Sequence, residues 1–235
     1  MHPDDFVSRF ILKSDPKSDE FIFKLPRSWF SRPYEYAWAS EFVDATDVVL
    51  DAACGIPHPL KFFLAEKTKE VYAVDLDRRI LSKERIVKSI IDDFGEESIK
   101  NVKDYWFQKI KFQNSSITDL PYEDRSFDKI FCISVLEHLP DLANAHPLIH
   151  AIHIPFMKKG IARAMKEFNR VLKPGGLLIL TFDYPNINLD YLRAVIRTSN
   201  FDFCGRVDYV IPRDALFWEE NNLRFFRAAL KKAYS

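Results

Sequence analysis

A strand that ends in an acid and passes into a helix through a turn of small residues is encoded by VVLDAACGIPHP at 48–59. The unbroken apolar run Val48 to Leu50 is typical of a strand that is covered on both faces. Asp51 follows, then the small residues, then an apolar helical pattern over 60–65. In an open α/β sheet, this arrangement lets a ligand approach the backbone and meet the free N–H groups of a helix N-terminus. The segment therefore predicts a nucleotide-type pocket.

A second apolar strand with an acidic end, VYAVDLD at 71–77, strengthens this interpretation. It follows the first by about 20 residues, where such folds place the carboxylate that binds ribose hydroxyls, here Asp75. Further apolar strands are predicted at 110–112, 126–135 and 176–182, with helical patterns between them. Strands that alternate with helices predict an α/β fold, a Rossmann-like, doubly wound, mostly parallel sheet with helices on both faces.

The two ends of the chain give weaker signals. Residues 1–20 are polar around a few apolar residues and are expected to form a loosely attached arm, and the aromatic stretch that follows predicts a helix starting near Pro33. That helix either covers the ligand as a lid or packs on the sheet edge. Leu223 to Tyr234 has the pattern of a final helix, so a C-terminal cap or a shortened sheet edge is expected. We therefore divide the chain into an arm and lid helix at 1–46, a core at 47–183, and a C-terminal part of the same domain at 184–235.

Charge and cysteine content restrict the partners. The 34 Lys and Arg residues balance 34 Asp and Glu residues, which argues against a broad nucleic-acid footprint. Cys54, Cys132 and Cys204 are far apart, so a reduced, cytoplasmic protein without disulfides is expected. No apolar run is long enough for a transmembrane segment. A small molecule is the expected partner, and the oligomeric state stays open.

Four of the six histidines lie between 138 and 153. The spacing of His146, His150 and His153 places them on one helical face, as in some metal sites. Two prolines interrupt that helix and no cysteine or carboxylate cluster accompanies it, so we predict no metal. The insert is then either a wall of the substrate site or a solvated or packed surface helix.

Four segments, in this order, resemble the class I S-adenosylmethionine-dependent methyltransferases of the type 11 group. They are VVLDAACG at 48–55, VYAVDLD at 71–77, SSITDLPYEDRSFDKIFCISVLEHL at 115–139 and EFNRVLKPGGLLILTF at 167–182. The resemblance implies an enzyme that uses S-adenosylmethionine and releases S-adenosylhomocysteine. The expected reaction is in-line methyl transfer to a small-molecule acceptor, with a sugar or a lipid-linked intermediate as the first expectation.

The resemblance also implies which residues bind the methionine and ribose parts of the cofactor. Asp51, Ala53 and Gly55 would shape the loop around the methionine part. Asp75 would accept hydrogen bonds from both ribose hydroxyls, with Leu76 against the adenine.

The remaining implied contacts come from later and earlier segments. Ser116 and Ile117 would border the adenine, and Ile133 and Ser134 would line the pocket below the sulfonium. Arg32 or Tyr36 would lie near the carboxylate of the cofactor.

His138 is the first candidate for a catalytic base, because it follows the fourth strand at the cofactor edge of the sheet. A base is needed only where the acceptor loses a proton, and a histidine at this position also caps helices or packs in many proteins. Asp183 and Tyr184, after the fifth strand, lie at the same edge and are candidates for substrate contact.

Three departures from the family pattern keep an alternative open. Ala53 stands where the first loop glycine is usual, which is tolerable if its φ is negative, and Pro57 stands where the third is, as at a helix start. Ser116 replaces a common acid. The alternative is a catalytically degenerate domain that serves as a binding module. A nicotinamide-dependent dehydrogenase is disfavoured, because the glycine fingerprint G-x-G-x-x-G is absent.

Overall fold

Residues 6–139 and 160–233 are described in the computed structural model. In chain order the strands are Val7–Phe10 (β1), Glu20–Phe21 (β2), Phe23–Lys24 (β3), Val48–Ala52 (β4), Glu70–Asp75 (β5), Ile110–Asn114 (β6), Phe127–Ile133 (β7), Leu172–Tyr184 (β8), Phe201–Phe203 (β9), Arg206–Val207 (β10), Phe217–Trp218 (β11) and Leu223–Lys232 (β12). The helices are Arg32–Ser40 (α1), Leu60–Lys67 (α2), Lys83–Phe94 (α3), Asp104–Lys109 (α4), residues 160–171 (α5) and Leu189–Thr198 (α6).

Five parallel strands form the centre of the sheet, in the spatial order β6–β5–β4–β7–β8. Strand β4 is the middle one, so the turn that follows it opens at the centre of one sheet edge. Its side chains alternate between two apolar clusters, with Leu50 in one and Val49 in the other, and both residues are fully buried. A strand that is covered on both faces is held rigidly. The predicted α/β sheet is confirmed.

The C-terminal edge of the sheet differs from the prediction. Residues 223–232 form strand β12, antiparallel to β8, so the expected final helix is wrong and the sheet edge is not shortened. Phe225, Phe226 and Leu230 are buried because the strand is covered on both faces. The sequence LRFFRAALKK places apolar residues on both faces of the strand and has no strict alternation, so its periodicity does not distinguish a strand from a helix.

The outer edge of β12 is shared by strands from distant parts of the chain. Strands β11, β1 and β9 pair with it one after another, all antiparallel. In β1, Phe10 lies opposite Phe226 and is fully buried, and Ser8 Oγ accepts a hydrogen bond from the Ala229 N–H at 3.2 Å. The prediction of a loosely attached arm is therefore wrong for residues 7–10, because these four residues, with alternating burial, form a strand between β10 and β12.

The segment between β5 and β6 contains both 3-10 turns and α-helices. Ser82 caps α3 and separates it from a 3-10 turn at Arg78–Leu81. A second 3-10 turn at Glu96–Asn101 follows α3 and precedes α4. Neither turn alters the sheet edge at which the site forms.

Helix α1 begins where the aromatic stretch predicts it, with Pro33 in its first turn. Tyr36 and Trp38 are buried, and the Tyr36 ring stacks on Phe21 with the centroids 5.1 Å apart. The N-terminal end of this helix, at Arg32, reaches the edge where β4, β7 and β8 end. The helix is thus both packed and part of the wall of the site.

Candidate functional site

Two neighbouring cavities lie at the carboxyl ends of the central strands. The inner cavity, of about 300 Å³, is lined by Arg32, Tyr36, Asp51, Ala53, Cys54, Gly55, His58, Leu60, Ile133, Ser134, Val135 and His138. The rim cavity, of about 280 Å³, is lined by Ala53, Asp75, Leu76, Ser115, Ile117, Val135, His138 and Leu139. Because Ala53, Val135 and His138 line both cavities, the two form one cleft over the turn that follows β4.

This turn is tied to the end of β5. The carboxylate of Asp75 accepts hydrogen bonds from the Gly55 N–H and the Asp77 N–H, both at 2.9 Å. Gly55 has a φ of +60°, and a Cβ there would lie 2.4 Å from the His58 ring, so glycine is required. Ala53 has a φ of +53°, so the negative φ at which alanine is readily tolerated is not the one found here. The left-handed conformation of a non-glycine residue costs about 1 kcal/mol or more.

A buried lysine holds the turn from beneath. Lys61 is fully buried in α2, and its Nζ donates hydrogen bonds of 2.6 Å to the carbonyls of Gly55 and His58. Sequence reasoning missed this residue, although a lysine within the apolar pattern LKFFLA is the signal that could have found it. Helix α2 begins after Pro59, so the expectation that Pro57 stands at the helix start is also wrong.

Asp51 presents an unpaired oxygen to the inner cavity. Its side chain is 3 % exposed, and its Oδ2 has no hydrogen-bond partner among the described residues. Burial, with a smaller contribution from the charge of Asp75, raises the pKa of Asp51 to about 7, although the Lys61 cation opposes the shift. A buried carboxylate oxygen without a partner is costly. A ligand with an ammonium group would satisfy it.

The opposite wall of the inner cavity is built around a buried glutamate, Glu35, which sequence reasoning missed. Arg32 forms an ion pair with Glu35, and Ser134 Oγ donates a 2.7 Å hydrogen bond to Glu35 Oε1. Arg32 and Ser134, which come from α1 and from the end of β7, are therefore fixed against each other. Their separation in the sequence gives no hint of this contact.

Tyr36 and His58 complete this wall. Tyr36 Oη lies 2.6 Å from His58 Nδ1, and Trp29 stacks on the His58 ring with the centroids 4.2 Å apart. Burial lowers the pKa of His58 well below its usual value, and the positive charges of Arg32 and Lys61 add to this shift. His58 is therefore neutral and acts as a fixed hydrogen-bonding group.

A third cavity, the ring cavity, lies beyond this wall. It measures about 240 Å³ and is lined by Ser28, Trp29, Phe30, Ser31, Arg32, His58, Asp183, Trp218 and Phe225. Arg32 and His58 line both the ring cavity and the inner cavity. The ring cavity is thus a mostly aromatic chamber with an acid, adjoining the inner cavity.

The acid of the ring cavity belongs to a pair of carboxyl groups. Burial, together with the charge of Glu35, raises the pKa of Asp183 to about 6. The second carboxyl group is that of Glu137, which accepts a 3.2 Å hydrogen bond from the Asp183 N–H. Burial and the charge of Asp183 raise the pKa of Glu137 well above its usual value. Such a pair holds a proton readily near neutral pH.

Comparison with known proteins decides the family. Residues 50–180, more than half of the chain, match the type 11 family described as "Methyltransferase domain". The chain belongs to this family. The resemblance to class I, S-adenosylmethionine-dependent methyltransferases inferred from the four sequence segments is therefore confirmed.

Among curated proteins the chain is similar to the ubiquinone/menaquinone biosynthesis C-methyltransferase UbiE of Rickettsia akari. The two are 26 % identical over 144 residues, which covers 59 % of this chain and 50 % of the relative. Methyltransferase GfsG of Streptomyces halstedii is 26 % identical over 138 residues, with coverages of 59 % and 38 %. The chain spans about half the length of the curated relatives that it matches.

Solved structures share the fold at low identity. The [4+2]-cyclase SpnF superposes with a TM-score of 0.59 at 14 % identity, covering 99 % of this chain and 89 % of that one. The 1,6-didemethyltoxoflavin-N1-methyltransferase of Burkholderia thailandensis, solved with S-adenosylhomocysteine, gives a TM-score of 0.53 at 16 % identity, with coverages of 88 % and 82 %. At these identities the likeness establishes the fold.

Most of the cofactor residues that the sequence suggests lie around the cleft. The inner cavity is lined by Arg32, Tyr36, Asp51, Ala53, Gly55, Ile133 and Ser134, and the rim cavity by Asp75, Leu76 and Ile117. Ser116 lines neither cavity, because its Oγ accepts a 3.1 Å hydrogen bond from the Thr118 N–H; Ser115 lines the rim instead. Other lining residues that sequence reasoning missed are Cys54, His58, Leu60, Val135 and Leu139.

Within residues 6–139 and 160–233, no group of three or more His, Cys, Asp or Glu side chains could hold a metal ion. His146, His150 and His153 lie outside the described residues. No helix in the described part of the chain is both long and apolar enough to cross a membrane.

Proposed function

We propose that this chain transfers the methyl group of S-adenosylmethionine to a small-molecule acceptor. The observation that carries the proposal is the meeting of two chambers at Arg32 and His58. The inner and rim cavities are lined by residues that the resemblance assigns to the cofactor, and the ring cavity adjoins the inner cavity through Arg32 and His58. Methyl transfer needs an acceptor chamber that touches the donor chamber, because the reacting atoms must align.

The residues of the cleft fit the cofactor. The unpaired Oδ2 of Asp51 suits the ammonium of its methionine part. The Asp75 carboxylate, at the rim, accepts two backbone hydrogen bonds and keeps capacity for the ribose hydroxyls. Leu76 is 67 % exposed beside it and offers an apolar surface to a base. When bound, S-adenosylmethionine supplies an electrophilic methyl group.

The ring cavity favours an acceptor with an apolar or ring-shaped part. Its walls include Trp29, Phe30, Trp218 and Phe225, so of the two classes expected from the sequence, the lipid-linked one fits better than a bare sugar. Two relatives carry names that agree with apolar acceptors: the UbiE protein, and a sterol 24-C-methyltransferase of Gibberella zeae.

Asp183 is the group that we propose to accept a proton from the acceptor. It is the carboxyl that lines the ring cavity, and Glu137 behind it shares its environment. An acceptor O–H or acidic C–H would lose its proton to the Asp183 carboxylate as the acceptor atom bonds to the methyl carbon. The bond from that carbon to the sulfonium sulfur would break at the same time, with S-adenosylhomocysteine as the leaving group. His138 stays the candidate that the sequence suggests, and it lines the inner and rim cavities rather than the ring cavity.

Calorimetric titration with S-adenosylhomocysteine tests the cofactor assignment. The wild type should bind, Asp75→Asn should bind at least about tenfold more weakly, because a charged acceptor is lost, and the neighbouring Asp77→Asn should match the wild type. If the wild type does not bind, the domain is not a working methyltransferase, and the alternative of a degenerate binding module replaces this proposal.

Methyl transfer to a panel of ring-bearing and isoprenoid acceptors, measured as S-adenosylhomocysteine release, tests the proton acceptor. Asp183→Asn should lose turnover by about 100-fold while keeping S-adenosylhomocysteine affinity. If His138→Gln loses turnover and Asp183→Asn does not, the base is His138.

A further inference from the structure

The ring cavity adjoins a larger space, the basic cavity. This cavity measures about 650 Å³ and is lined by Lys13, Lys17, Asp19, Lys24, Leu25, Pro26, Arg27, Trp29, Phe30, Pro33, Tyr34, Leu216 and Phe217. Trp29 and Phe30 line both cavities. The basic cavity, the ring cavity and the inner cavity are therefore neighbours, and each adjoining pair shares two lining side chains.

Positive charge is concentrated in the basic cavity. Four cationic side chains line the basic cavity against one acid, although the whole chain has a net charge of zero. Lys17 is the cation that pairs with this acid, at 3.0 Å from Asp19 Oδ2. In the part of the chain that the structure describes, Lys13, Lys24 and Arg27 form no ion pair. Such a concave basic site attracts anions.

Aromatic rings connect the basic cavity to the reaction site. Phe30 stacks on Trp218 of the ring cavity with the centroids 5.6 Å apart, and Trp29 stacks on His58 at 4.2 Å. A molecule that lies along these rings would have one end among the cations and the other at Asp183, beside the inner cavity. Aromatic walls of this kind bind apolar chains and rings.

We propose that the methyl acceptor is an amphipathic anion, whose phosphate or carboxylate group binds in the basic cavity and whose apolar part lies along Trp29, Phe30 and Trp218. The proposal rests on the proposed function, since it names the substrate class of the same site. The cations of the basic cavity match the anionic end of such a molecule. The aromatic rings that lie between this cavity and Asp183 match its apolar end.

Calorimetric titration with three probes tests the two ends separately. The probes are geranyl diphosphate, which has both ends, geraniol, which has only the apolar end, and inorganic diphosphate, which has only the anion. We expect geranyl diphosphate to bind at least about tenfold more tightly than either other probe. Its binding should weaken as the salt concentration is raised from about 0.05 to about 0.5 M, since salt screens exposed charges. Equal binding of geranyl diphosphate and geraniol would overturn the proposal.

Charge reversal locates the anion. The double variant Lys24→Glu/Arg27→Glu should bind geranyl diphosphate at least about tenfold more weakly than the wild type, and its affinity for geraniol should be unchanged. The matched control Lys69→Glu/Lys88→Glu makes the same change of charge at exposed positions outside the cavity, and should bind like the wild type. If both double variants bind geranyl diphosphate equally, the anion does not bind in the basic cavity.

Two further measurements separate the remaining outcomes. Titration of S-adenosylhomocysteine into the same samples measures binding at the cofactor site. If S-adenosylhomocysteine does not bind but geranyl diphosphate binds normally, the proposed function is refuted and the anion site is not. Sedimentation with vesicles containing anionic phospholipid reports a membrane surface. If the chain binds vesicles through Lys24 and Arg27 but does not bind soluble geranyl diphosphate, the basic cavity serves a membrane and the acceptor proposal is wrong.

Discussion

Replacement of Lys61 by methionine tests whether the turn after β4 depends on its buried cation. Methionine is of similar length and apolar, so the space stays filled while the hydrogen bonds to the Gly55 and His58 carbonyls are lost. Each buried carbonyl left without a donor costs about 1–3 kcal/mol. Two carbonyls therefore cost about 2–6 kcal/mol. Part of this cost is offset, because the methionine variant no longer has to bury the charged ammonium group of Lys61.

We expect the free energy of unfolding of Lys61→Met to be lower by about 3 kcal/mol, which corresponds to a Tm about 6–12 °C lower for a chain of this size. Urea unfolding followed by circular dichroism gives the free energy, and scanning calorimetry gives the Tm. The control is Lys67→Met, an exposed lysine of the same helix, which should change the free energy by less than about 0.5 kcal/mol. If Lys61→Met lies within about 1 kcal/mol of the wild type, the two carbonyls do not depend on the ammonium, and the reasoning fails.

Two further predictions concern the same turn. Ala53→Gly should raise the free energy of unfolding by about 0.5–1 kcal/mol, because glycine tolerates the φ of +53°, whereas Ala52→Gly in the adjoining strand should lower it; urea titrations that give both variants the same sign would contradict this. Asp51→Asn should gain stability relative to the wild type as the pH rises. The Asp51 carboxyl has its pKa raised from 3.8 to about 7, so the wild type loses stability between these pH values and asparagine does not. Unfolding at pH 5 and pH 8 checks this, and a difference between the two proteins that is independent of pH would refute it.

The predicted residues that lie at the cleft are those whose location depends on local position in the sequence. Asp51, Gly55 and Asp75 follow apolar strands at a spacing that places them at one sheet edge, and parallel strands require that edge to be shared. Lys61 and Glu35 were missed for the opposite reason. Each is a charged residue in a helical pattern, where solvent exposure is the ordinary expectation, and only the tertiary contacts with a turn and with Ser134 show that it is buried.

The errors at the two ends of the chain have a shared cause. Strand β12 has apolar residues on both faces, and β1 has few apolar residues, so neither sequence shows the strict alternation of apolar and polar residues that marks a half-buried strand. Each becomes a strand through its neighbour, β8 for one and β12 for the other. Pairing between segments so distant in sequence is a property of the whole chain, and a local pattern does not contain it.

The pairing of β1 with β12 sets an order on assembly. Ser8 and Ala229, which are joined by a hydrogen bond, stand 221 positions apart, so β1 gains this partner only after residue 229 has been synthesised. Closure of so long a loop also makes this contact a late event in folding. Until it forms, Phe10 lacks the buried site that it shares with Phe226, and β1 is an unpaired strand that other chains could join.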